Sequence, residues 1–161
     1  MAPTRSDDTP VRRWKRAATP DDLTRRHAGG LVEHLGIEFL EVGDDFLVAR
    51  MPVDRRTRQP AGILHGGASV VLAETLGSTA ATLCLDEAHY AVGLDINANH
   101  IRSMREGWVT GRCRPVHVGR TTHVWQIEIV DDAQRLVCTS RITMAILARA
   151  DTGPTPDAPP A

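Results

Sequence analysis

The sequence predicts an α+β fold in which an antiparallel sheet of about six strands wraps around one long central helix. Three observations carry this. Residues 68–85 are small and apolar and long enough for about five helical turns. Four extended runs follow, over 90–101, 108–116, 121–130 and 135–147. A hairpin signal, Gly43-Asp44-Asp45, sits between two extended runs within 37–53. One apolar helix beside six strands has one economical solution, a sheet that buries it.

The elements follow in chain order. Residues 1–18 are charged and contain Pro, and are expected to be a flexible arm. Thr19-Pro20-Asp21-Asp22 opens a short helix: a hydroxyl cap, Pro at the first position, acids in the first turn. Gly29 and Gly30 are expected to end it. After the hairpin, the Pro- and Gly-rich stretch 57–67 reads as a loop leading into the long helix. In the run 121–130, His123, Trp125, Ile127 and Ile129 share one face and Thr122, Val124, Gln126 and Glu128 the other. Asp131 to Gln134 form the turn into the last strand. Residues 150–161 hold four prolines and are expected to be a disordered tail. The folded domain is therefore expected over 19–149, without internal repeats.

Composition limits the function classes. The length, 161 residues, fits one domain, and 42% hydrophobic residues suffice for a core. A formal net charge of -1 argues against a nucleic-acid partner. Arginine dominates the 19 basic residues, which suits local phosphate contacts and equally a GC-rich genome. Cys84, Cys113 and Cys138 are widely spaced beside apolar neighbours, so buried free thiols are expected rather than a metal or redox motif. No apolar leader precedes the domain, and a cytoplasmic location is expected. The apolar helix is interrupted by hydroxyl and glycine residues and is too short for a membrane span. The histidines are scattered, so no metal site is expected.

Between Ile63 and Leu85, Glu74 alone carries a permanent charge. A lone carboxylate in an apolar helix is costly to bury unless it is paired or has work to do. The alternative is an exposed stripe, yet the neighbours at helical spacing are Gly67, Val70, Val71, Gly77, Ser78 and Ala81. Upstream, Gln59-Pro60-Ala61-Gly62-Ile63-Leu64-His65-Gly66-Gly67 leads into the helix. Helix-start N–H groups are unpaired, and glycines let a carbonyl approach them. His65 and Glu74 are nine residues apart, ~13 Å along a helix axis, and about two and a half turns apart in direction. They cannot serve one carbonyl within one chain. Two antiparallel copies of the helix could bring Glu74 of one chain to Gly66 of the other, twice per two-fold dimer.

These residues resemble a known family. Met51-Pro52-Val53-Asp54, then Gln59-Pro60, Leu64-His65-Gly66-Gly67-Ala68-Ser69 and Ala73-Glu74, are similar to the hot-dog fold thioesterases of the PaaI-like group. So are the run 92–100, Arg105-Glu106-Gly107 and the run 115–120. Within the group, the similarity points to the 1,4-dihydroxy-2-naphthoyl-CoA thioesterases of menaquinone synthesis, their enterobactin-proofreading paralogues and the Arthrobacter-type 4-hydroxybenzoyl-CoA thioesterases. It covers roughly residues 36–147.

The resemblance implies an acyl-CoA thioesterase acting on an aromatic acyl group. It implies Glu74 as nucleophile or general base, Gly66 as oxyanion donor, Gln59 and His65 as positioning residues, and Ser78 as the hydroxyl beside the carboxylate. It implies CoA contacts at Gly93, at His100, Ile101, Arg102 and Ser103, and at His117, Val118, Gly119, Arg120, Thr121 and Thr122. Arg102 and Arg120 are the choices for phosphate. CoA belongs to the substrate, and no cofactor is implied. A homodimer is the smallest active unit and a homotetramer the family assembly. A medium-chain aliphatic substrate and a non-catalytic acyl-CoA-binding protein are the alternatives. A hydratase on the same fold carries Asp five residues before the His; here that residue is Pro60.

Overall fold

The computed structural model describes residues 13–149. Two short helices come first, α1 (Pro20–Arg26) and α2 (Leu31–His34), followed by the hairpin β1 (Glu38–Val42) and β2 (Leu47–Pro52). The long helix α3 (Gly66–Leu83) precedes β3 (His89–His100), β4 (Trp108–Val118), β5 (Thr122–Asp131) and β6 (Leu136–Ala148). All six strands form one antiparallel sheet in the order β1-β2-β4-β5-β6-β3, which packs its inner face on α3. The expected hot-dog architecture is what the chain adopts. No helix among the described residues is long and apolar enough to cross a membrane.

The small residues of α3 decide how closely helix and sheet meet. Ala68, Leu72, Ala73, Leu76 and Ala80 are buried against inward residues of β2, β4, β5 and β6. A methyl group at Gly111 of β4 would meet Leu76 Cδ1 at 2.7 Å, so the two leucines of α3 ride directly over that strand's backbone. On β5 the alternation holds: His123, Trp125, Ile127 and Ile129 are buried. The three cysteines are buried free thiols.

Several local expectations are refined. Thr19 caps α1 in a reciprocal box with Asp22, but the helix ends at Arg26, before Gly29 and Gly30. The helix α2 has too few residues to show periodicity in the sequence. Gly66 and Gly67, expected in the loop, form the first turn of α3.

The expected N-terminal arm is corrected at its described end. Trp14 is buried, stacks on Trp125 with ring centroids 6.1 Å apart, and donates its indole N–H to Gly43 O. The N–H groups of Lys15 and Arg16 donate to Leu83 O, and the Arg16 side chain donates to Leu85 O and Asp86 O. Two backbone N–H groups thus take Leu83 O, left open at the end of α3, and the Arg16 guanidinium sits just past that end, where the helix dipole favours a cation. A charged neighbourhood hid a core tryptophan. Residues 1–12 and the expected tail over 150–161 lie outside the described residues.

The helix–sheet contact yields a test. A Cβ on Gly77 would lie 2.4 Å from Ile142 Cγ2, on a β-branched side chain that cannot swing away. Gly77→Ala gains about 1 kcal/mol of helix propensity but forces overpacking that costs about 1–3 kcal/mol. The net expectation is a lower midpoint in denaturant melts, whereas in an Ile142→Ala background, itself destabilised by the cavity, adding Gly77→Ala should lower the midpoint no further. A more stable single variant would show that the helix can lift off the sheet freely.

Candidate active site

The site begins with the loop that enters α3. Thr57 is buried and donates its hydroxyl to Pro52 O, while accepting from the N–H of Asp54. His65 N–H donates to Thr57 O, Gln59 N–H to Ile63 O, and Leu64 N–H to Met104 O. Arg58 and Arg105 tie the loop's outer side, each donating to a carbonyl across the gap, Arg105 O and Ala61 O. The loop is therefore closed on itself and on the segment after β3.

At its end His65 is the N-cap of α3, in extended conformation (φ -73°, ψ 131°). Its Nδ1 accepts the Gly67 N–H at 2.9 Å. Ala68 and Ser69 N–H both turn to His65 O. In a neutral ring an accepting Nδ1 leaves the proton on Nε2. Of the first-turn amides, Gly66 N–H has no acceptor among the described residues. An unpaired donor at a helix N-terminus is suited to a developing negative charge.

Gly66 opens onto a pocket of about 280 Å³ shared with Gln59, His100, Ile101, Arg102 and Ser103. The imidazole of His100 lies so near that a methyl at position 66 would sit 2.7 Å from its Nε2. The N–H groups of Ile101 and Arg102 both donate to Val137 O, carrying the chain past β6 and into the pocket wall. Six of the residues singled out in the sequence are thus brought together. Ser69 and Val137 also line the pocket and were missed. Ser69 follows Gly66 by three residues, a helical spacing that could have pointed to it; Val137 comes from a distant strand with no local signal.

Glu74 lies elsewhere. It shares a second pocket, of about 170 Å³, with Gly93, Leu94, Asp95, Ile96 and Ile142. A methyl at Gly93 would stand 3.1 Å from Glu74 Oε1. Within one chain Glu74 is exposed, not buried, on a stripe with Gly67, Ser78 and Thr82. The sequence argument that an isolated carboxylate implies burial does not hold for the single chain. The argument that Glu74 and the His65 loop are separated does hold: Gly66 faces the His100 end of β3 and Glu74 faces Gly93, farther back along the strand. Ser78 lines a third cleft, beside α1.

The segment from His117 to Thr122 forms the β4–β5 turn, closed by Gly119 N–H donating to Thr122 O. It is in neither of the first two pockets. Thr122 pairs through Ala145 with Val92, so this turn lies level with the Glu74 end of β3. Next to it, His123 is buried, and burial lowers the pKa of its ring below the ordinary histidine value.

Comparison with known proteins gives this geometry a family. The thioesterase superfamily profile matches residues 61–138. The chain is 56% identical, over 134 residues, to the 1,4-dihydroxy-2-naphthoyl-CoA hydrolase of Escherichia coli, covering 83% of this chain and 98% of that one. The chain belongs to the thioesterase superfamily. It is 50% identical to a proofreading thioesterase of Cronobacter turicensis, again covering 83% and 98%. The crystal structure of a thioesterase from Haemophilus influenzae superposes with a TM-score of 0.82 at 49% identity, over 84% of this chain and 95% of that one. The thioesterase is a thioester hydrolase with the fold expected from its sequence.

The cap at His65 is open to test in the thioesterase. His65→Ala removes the acceptor for Gly67 N–H and should lower stability by about 0.5–2 kcal/mol. His65→Asn can still accept that bond and should recover most of the stability. Chemical denaturation of the three proteins measures this, and equal stability of Ala and Asn variants would remove the cap from the account.

Proposed function

We propose that the thioesterase hydrolyses an aromatic acyl-CoA, of hydroxyaryl or arylacetyl type, at composite sites formed between two copies of the chain. One observation carries this: Gly66 stands by the His100 end of β3 and Glu74 by Gly93, well back along an edge strand of twelve residues. A long unpaired edge is a ready template for another strand. If β3 pairs antiparallel with its own copy about a two-fold axis between Ile96 and Asn97, His100 of one chain faces Gly93 of the other. Gly66 then meets the partner's Glu74, twice per dimer. The exposed Val92, Leu94 and Ile101 would be covered in the same step.

In this arrangement the thioester carbonyl lies against Gly66 N–H, which stabilises its oxygen as negative charge develops. Glu74 of the other chain has two routes. It attacks the carbonyl carbon, CoA leaves as thiolate, and water hydrolyses the mixed anhydride to the acid and free Glu74. Alternatively it takes a proton from a water that attacks the same carbon, and the tetrahedral intermediate collapses with loss of CoA thiolate. Gln59 and His65 position the thioester, and Ser78 orients water or carboxylate. Gly93, the segment from His100 to Ser103 and the β4–β5 turn hold CoA, with Arg102 and Arg120 on phosphates. The aromatic assignment is supported by the relatives, and the Escherichia coli enzyme's substrate makes a dihydroxynaphthoyl group the first candidate. A dimer of such dimers completes the assembly.

Glu74→Gln should lower kcat by about 10²–10⁴-fold with CoA binding retained. Glu74→Gln and Gly66→Ala, each inactive alone, should regain about a quarter of wild-type activity when co-expressed, because half of the pairs are mixed and hold one intact site. Free-thiol release during turnover reads this. No recovery in isolated mixed dimers would return the site to a single chain.

A further inference from the structure

One buried titratable side chain has no part in the mechanism above. His123, on β5, is 2% exposed. Its ring meets Trp125 edge-on, with centroids 6.2 Å apart, and Trp125 in turn stacks on Trp14. His123 Nδ1 has no hydrogen-bond partner among the described residues, and neither has Trp125 Nε1. The backbone hydrogen bond between the ring and Gly119 therefore belongs to Nε2. Gly119 N–H is committed to Thr122 O, so Nε2 donates and Gly119 O accepts.

Gly119 opens the β4–β5 turn. The turn is tight: Gly119 N–H reaches Thr122 O at 3.0 Å, Ile146 N–H reaches Thr121 O at 2.9 Å, and a methyl at Gly119 would run into His117 Nε2. Across the sheet His123 pairs with Met144, and Met144 with Gly93, the glycine beside Glu74. The root of the turn is thus level with the carboxylate. Few charged or titratable groups surround the ring. From β4 comes His117, next to the Val118 that pairs with His123. The turn itself holds Arg120, and β6 presents Met144. From α3 comes Glu74, beyond Met144 at Gly93. None of them bonds Nδ1.

A second proton on His123 would create an N–H at Nδ1 with no acceptor. The indole of Trp125 can only donate, so it cannot take that bond. A buried cation with an unmade hydrogen bond is costly. Burial accordingly holds the ring below the ordinary histidine value; the Gly119 bond opposes this and the charge of His117 adds to it. Opening the turn would give the ring water and let it charge. The closed turn therefore has its full advantage above the ring's ordinary value of 6.5 and loses it as pH falls below that value. We propose that His123 is a positioning residue that keeps the β4–β5 turn in its CoA-holding shape only while its ring is neutral. The thioesterase then loosens its hold on CoA in mildly acidic surroundings. The proposal rests on the reading that this turn holds CoA.

The test measures the Kd of free CoA by calorimetry, and KM and kcat for 4-hydroxybenzoyl-CoA, at about pH 7.5 and about pH 5.5. It compares the wild type with His123→Gln, His123→Leu and Gly119→Ala. Glutamine can donate an amide N–H to Gly119 O but takes no proton; leucine does neither. Between the two pH values the wild-type Kd should rise about threefold or more beyond that of His123→Gln. At the higher pH these two should agree within about twofold, while His123→Leu binds about two- to tenfold more weakly at both. At each pH the variants should differ more in KM than in kcat. The phosphomonoester of CoA titrates near about 6 and acts on all variants alike, so the comparison removes it. A wild-type rise retained in His123→Gln overturns the proposal, as does His123→Leu binding CoA as tightly as the wild type at both pH values. Gly119→Ala crowds the turn against His117 and should weaken CoA at both. An unchanged Kd in that variant removes the turn from CoA binding, and the proposal falls with that part of the function. Weakened CoA there, with the wild-type pH profile kept in His123→Gln, removes His123 alone.

Discussion

The close seat of α3 on the sheet governs the rest of the molecule. Gly77 lies against Ile142, and Leu72 and Leu76 lie over Gly111, so no larger residue fits between helix and strands at these points. Tight packing of one helix face commits the other face to point outward. The outward face is the one that holds Gly67, Glu74, Ser78 and Thr82. A helix with larger contact residues would stand farther from the sheet, and Glu74 would lose its place beside Gly93. The core is thus the reason that a surface carboxylate has a fixed position.

The second constraint is the junction at His65. A helix start leaves several N–H groups unpaired, and here the neighbouring groups dispose of them selectively. His65 Nδ1 takes Gly67, and His65 O takes Ala68 and Ser69. What remains is one donor, Gly66, beside His100 in a pocket wall. The selection depends on the loop being held by Thr57 and by Met104, since a moving loop would carry the cap away. Under the proposed mechanism stability and chemistry share these bonds, so a single histidine bears on both.

Much of this was legible in the sequence because it is written in local patterns. The alternation from His123 to Ile129, the cap box at Thr19 and the small residues of α3 are short-range signals, and each became the element it announced. The position of Glu74 was readable as odd, although the inference from oddness to burial failed: a single chain leaves it exposed. Trp14 was unreadable because its partners, Trp125 and Gly43, lie far away in sequence and its neighbours are basic. Arg26 and His27 were passed over for the same reason. They line one cleft with Ser78 and Thr82, which only the fold brings alongside.

Strand β3 joins these threads. Its end at His100 faces Gly66, its stretch at Gly93 faces Glu74, and its free edge has no partner among the described residues. One antiparallel pairing of that edge with a copy of itself would cover exposed apolar side chains and exchange the two half-sites. The same pairing leaves the α1–α3 cleft inside the chain that supplies Glu74. In such an assembly, the proposed oxyanion donor comes from one chain and the carboxylate from the other. Under that proposal neither half-site is complete without the partner, so the pairing that covers the apolar edge is also the one that assembles the hydrolytic centre.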